Sequence, residues 1–145
     1  MLKIFALLSI LIMPVCSYGA DIPSVEREAM IMRAELNRLG ADADPLEKES
    51  ILKKIAERCK GTEEAETAYW DLADLYLEGF QTEMKKEACE TLERCLKTYP
   101  NSLRSGMVKC RLAELYDAGS SRRAELVRQI KNDSRLPSVV KSSLN

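Results

Sequence analysis

The chain has 145 residues, enough for one domain with a packed core, and its 22 basic and 23 acidic residues leave a formal charge of −1. Near-neutrality removes the basic excess typical of nucleic-acid binders, and the lack of any histidine excludes His-based triads and His-ligated metal sites. Ala, Leu, Glu, Lys and Arg dominate, Gly and Pro are sparse, and no stretch alternates long enough to suggest a sheet, so the chain is predicted to be all-α.

Residues 1–20, MLKIFALLSILIMPVCSYGA, carry one lysine, an apolar run from Ile4 to Met13, a breaker at Pro14 and then small side chains, the pattern of a secretory signal peptide. A helix from Ile4 to Cys16 would span only about 20 Å against a hydrocarbon core of about 30 Å, which favours a cleaved leader over an anchor. Ser17 and Gly19 place cleavage after Gly19 or Ala20, leaving 21–145 as the mature domain. An uncleaved N-terminus, or acyl chains on Cys16, is the membrane-associated alternative.

In the mature region, Ser24 is the expected cap of the first helix, with Val25, Ala29, Met32, Leu36 and Leu39 along one face and Gly40 at its end. Asp44-Pro45 opens the second, whose apolar side is Ile51, Leu52, Ile55 and Cys59 and whose end falls at Gly61. Thr62 caps the third, with Ala65, Tyr69, Leu72, Ala73 and Tyr76 inward. The fourth is expected from about Thr82, with Met84, Ala88, Leu92, Cys95, Leu96 and Tyr99 on one stripe, until Pro100 stops it. From about Leu103 the fifth carries Met107, Val108, Leu112, Ala113, Leu115 and Tyr116, and after Ser120-Ser121 the sixth carries Ala124, Leu126, Val127 and Ile130. A short helix begun by Pro137 is expected to cover the end of the fold.

LADLYLEG at 72–79 returns as LAELYDAG at 112–119, and glycines at 40, 79 and 119 recur at nearly even spacing, which predicts about three helix pairs. Tyr69, Leu72, Ala73, Tyr76, Ala88, Leu92 and Pro100 fall at the pattern positions of the tetratricopeptide repeat, which this stretch resembles. Tyr76 to Ala88 is three residues longer than usual, similar to the Sel-type relatives. The YPNS turn before a new Leu-Ala-x-Leu-Tyr helix also looks like repeats of bacterial envelope proteins of outer-membrane assembly and the Tol-Pal system, over about residues 62–120. The resemblance implies stacked antiparallel hairpins forming an α-solenoid that binds protein partners, with no cofactor.

Four cysteines remain in the mature chain. If the fourth and fifth helices turn about Ser102 and Leu103, positions whose numbers sum to 205 face each other, so Cys95 and Cys110 are either a disulfide or core filler. Cys59 and Cys89 lie at different heights and are poor partners, and no CxxC suggests a redox or zinc motif. Charge is segregated: Glu63 to Glu93 holds ten acids against two lysines, and 94–145 holds eleven bases against four acids. That pattern is either a docking surface or helix faces that pair between neighbouring units.

Trp70, the only tryptophan, falls beside the buried stripe of the third helix and is read either as packing or as groove lining. Tyr69, Trp70 and Leu77 are the expected partner-binding residues. Asp71, Asp74 and Glu78 share the helix without a base, a nucleophile motif or a phosphate loop, so no catalytic or metal residue is assigned. The expectation is an exported, periplasmic scaffold for protein partners of the cell envelope, with no nucleic-acid partner; a membrane-tethered subunit and a small enzyme or lytic accessory are the alternatives.

Overall fold

The computed structural model describes residues 23–142, so the leader reading of 1–20 and the lipid reading of Cys16 lie outside the described residues. Seven helices follow in order: α1 (Ser24–Leu39), α2 (Pro45–Arg58), α3 (Glu63–Asp74), α4 (Lys85–Thr98), α5 (Ser105–Leu115), α6 (Ser121–Asn132) and α7 (Ser138–Ser142). A π-helical turn, Leu75–Gly79, extends α3. There is no strand among the described residues, so the chain is all-α as expected.

Three helices begin at side-chain caps, two of which, Asp44 and Thr62, are the ones read from sequence. Asp44 accepts from the Leu46 N–H with Pro45 at the first helical position, Thr62 Oγ1 accepts from the Ala65 N–H, and Ser120 Oγ from the Arg123 N–H. Ser24 does not cap α1. It is the first helical residue, and the Pro23 carbonyl takes the first ladder bond from Arg27 instead. Of the three recurring glycines only Gly40 has a positive φ (+77°), with an extended ψ that glycine alone adopts readily; Gly61 (φ +90°) also has a positive φ, after α2.

Two starts are later than expected, each because the preceding loop uses its own polar groups. The π turn and the loop behind it absorb the long Tyr76–Ala88 spacing: the Met84 N–H donates back to the Tyr76 carbonyl at 2.8 Å, Phe80 stacks on Tyr76, and α4 starts only at Lys85 rather than near Thr82. In the YPNS turn Ser102 Oγ accepts from the Ser105 N–H, so α5 starts at Ser105 and leaves Leu103 91 % exposed.

Each of α1 to α6 packs against its neighbour in the chain, and α1 also reaches α3. Leu72, Leu92, Leu112, Leu126, Ile55 and Ile130 are enclosed. Alanines 29, 56, 65, 68, 73, 88 and 113 are buried beside them, letting helix backbones approach. All five expected inward residues of α3 are in this core, whereas Ala124 of α6 and Met107 of α5 face outward.

Polar contacts tie together residues far apart in the chain: Arg94 to Glu57 and Arg104 to Thr67 are 37 residues apart, and Gly61 to Tyr99 38. Tyr76 and Tyr116, matched in the sequence repeat, each donate to a carboxylate of the preceding helix, though at positions the repeat does not match. Tyr76 donates to Glu49 of α2 at 2.7 Å, and Tyr116 to Glu93 of α4 at 3.2 Å, with Lys53 and Arg122 paired to the same carboxylates. Burial alone would raise the Glu49 carboxyl, but hydrogen bonds from Lys53 and Tyr76 outweigh it and hold it below its usual range.

The segregated charges do pair across elements: Arg104 with Glu63, Arg111 with Asp74, Arg122 with Glu93 and Lys85 with Asp117. Such partly to largely exposed pairs contribute about 0–1 kcal/mol each, whereas enclosing one leucine contributes about 1.5–3 kcal/mol, so apolar packing sets stability.

Candidate functional site

A groove of about 710 Å³ runs along α3. Trp70, Asp74 and Glu78, four residues apart on α3 and its π turn, form one wall; Leu103, Met107, Cys110, Arg111 and Glu114 form the other; Leu136, Pro137 and Val140 close a side. Helices α3 and α5 run in the same direction here, because Arg104 meets Glu63 and Thr67 while Arg111, seven residues later, meets Asp74. Trp70, Leu103 and Met107 therefore gather at one end, and Asp74, Glu78, Arg111 and Glu114 at the other.

The apolar end depends on Gly106. A Cβ there would stand 2.6 Å from Leu136 Cδ2, so the bare backbone of α5 is the seat on which Leu136 brings α7 to the groove. The terminal helix thus walls the groove beside Trp70. Leu103 and Met107 stay exposed at its mouth.

At the polar end the Arg111 guanidinium lies 3.6 Å from both Asp74 and Glu114, and Glu78 holds no ion pair among the described residues. Burial pushes the Asp74 carboxyl up; Arg111 opposes this, and the like charges of Glu78 and Asp71 add to it. Asp74 and Glu78 also line a second groove, of about 440 Å³, on the α1 side of α3 with Leu36, Leu52 and Arg33. Arg33 spans the top of that groove to Glu64 and Asp71.

Of the three expected partner-binding residues, only Trp70 lines the groove. Tyr69 is in the core, edge-on to Tyr99 with Arg94 over its ring, and Leu77 is half-buried against the core. For Tyr69 the reason is angular, since at about 100° per residue a direct neighbour of Trp70 points well away from it. Leu77, seven residues on, would share the face of Trp70 in a regular α-helix but lies in the π turn Leu75–Gly79, whose wider winding breaks that register. The groove residues missed by sequence reasoning are Leu103, Met107, Leu136 and Val140. Leu103 and Met107 are spaced by four and lie off the Val108-Leu112 stripe, a signal present in the sequence, but nothing local foretells where α7 docks.

The Cys95–Cys110 bridge is not formed; all four described cysteines are free thiols. Leu96 and Lys109 line one surface of the α4–α5 pair, and Cys89 and Tyr116 another. Cys95 instead turns into the core, where burial and the nearby Glu66 push its thiol up to about 12, while Cys110 stands on the groove wall. A thiol so protonated is inert filler.

Among the described residues no cluster of Cys, Asp or Glu could hold a metal ion, and no helix is long and apolar enough to cross a membrane. Asp71 is tied to Arg33 and Asp74 to Arg111, so fixed charge lies beside an apolar floor. The chain matches no family model, no curated protein and no solved structure.

Proposed function

We propose that the chain is an exported helical-repeat scaffold of the cell envelope that binds a protein partner in the groove between α3, α5 and α7. One observation carries this reading: the single tryptophan stands on the wall of an open apolar groove, with Leu103 and Met107 exposed beside it. Exposed large apolar side chains gathered round one concavity mark an interaction surface, whereas scattered ones carry no meaning. The stacking of hairpins as in a tetratricopeptide-type solenoid is supported by the packing of each of α1 to α6 on its chain neighbour, by both repeat tyrosines bonding a carboxylate of the preceding helix, and by ion pairs linking α1 to α3 and α3 to α5. Export is supported by the short apolar run and the Ser17/Gly19 pair.

The test is made in the native host. A photo-crosslinking residue in place of Met107 is expected to trap a partner that the same residue at Lys54, exposed on α2, does not. N-terminal sequencing of the recovered chain is expected to start at Ala20 or Asp21. Equal adducts from both positions would remove the groove from the reading, and an intact Met1 would remove export by cleavage.

A further inference from the structure

The groove is graded in chemistry along its length. Trp70, Leu103, Met107 and Leu136 offer an apolar seat, and farther along α3 and α5 three carboxylates face one guanidinium. That guanidinium, on Arg111, is already shared between Asp74 and Glu114, so the polar end keeps an excess of negative charge centred on Glu78. Eight residues of helix separate Trp70 from Glu78, about 12 Å.

Resting on the reading of the groove as the contact surface, we infer that its occupant is a segment of another protein with an apolar side chain and a Lys or Arg about 12 Å apart. The apolar group seats against Trp70 and Met107, and the cation lies on Asp74 and Glu78. An acidic segment would meet like charge at close range, and a wholly apolar one would strip water from Glu78 without replacing it. A cation on the ridge of α3 also relieves the mutual repulsion of Asp74 and Glu78, which line both grooves.

The experiment titrates the full chain with three short synthetic peptides, followed by calorimetry and by the emission of Trp70. One has leucines at one end and lysines at the other, one has glutamates for the lysines, and one has serines for the leucines. The leucine–lysine peptide is expected to bind and shift Trp70 emission, and both others to bind about tenfold more weakly or worse. Glu78→Lys is expected to weaken the leucine–lysine peptide by about tenfold, while Glu83→Lys, the same charge change outside the groove, leaves it bound. Equal binding of the glutamate peptide, with the Trp70 shift retained, would overturn the charge assignment and leave the groove reading standing; equal binding of the serine peptide would overturn the apolar seat. Binding that leaves Trp70 emission unchanged, or no binding by any peptide, would take down the groove reading and this inference together. Sedimentation of the chain alone covers one more occupant: a dimer broken by Glu78→Lys would mean that the chain's own basic half fills the groove, and would overturn the assignment to another protein.

Discussion

Leu112→Ala is expected to lower the unfolding free energy by about 2–5 kcal/mol in chemical denaturation. Leu112 is fully enclosed on the inward face of α5, in the second copy of the Leu-Ala-x-Leu-Tyr phrase, and its loss opens a void that neighbouring helices cannot fill without shifting. The comparison is Leu103→Ala, two turns away in the chain and 91 % exposed, for which a change within about 0.5 kcal/mol is expected. Similar losses for the two variants would mean that α5 is rotated from the orientation that puts Met107 in the groove.

Ala73→Leu and Ala113→Leu are each expected to cost about 1–3 kcal/mol, by overpacking rather than by loss. The two alanines occupy matched positions in the sequence repeat, 1 % and 0 % exposed, where a helix backbone lies against its neighbour. Equal penalties at both sites are the result expected of two equivalent helix crossings. A neutral Ala113→Leu beside a costly Ala73→Leu would break that equivalence and leave the sequence repeat without a structural one.

Much of the fold was legible from side chains whose effect is local. Thr62 and Asp44 are caps because their oxygens reach the backbone within three residues, and Ala65, Tyr69, Leu72, Ala73 and Tyr76 are buried because a helical period leaves them no other face. What escaped was partly just as local, a competing bond within three or four residues, and partly set farther along the chain. Ser24 yields its capping role to Pro23, the start of α4 is delayed by a bond from Met84 to Tyr76, and Ser102 spends its hydroxyl on the turn before α5. The groove was half legible. Trp70 is on its wall as one of the two readings allowed, but Tyr69 and Leu77 are not, and the remaining apolar lining depends on Leu136 finding Gly106 thirty residues away.

The Cys95–Cys110 pair shows the same division. A turn limits which residues of α4 and α5 can stand near one another, but the direction of each thiol depends on helix rotation. Rotation is decided by the whole core, which draws Cys95 inward and leaves Cys110 at the groove.

Acrylamide quenching of Trp70, the only tryptophan in the chain, tests the central claim most directly when measured with and without the partner recovered through Met107. In the free chain the half-buried indole is expected to be quenched, less than in the unfolded chain, and saturation with the partner is expected to shield it. A partner that binds to saturation and leaves Trp70 as open to quencher as before would contradict the assignment of the groove as the contact surface.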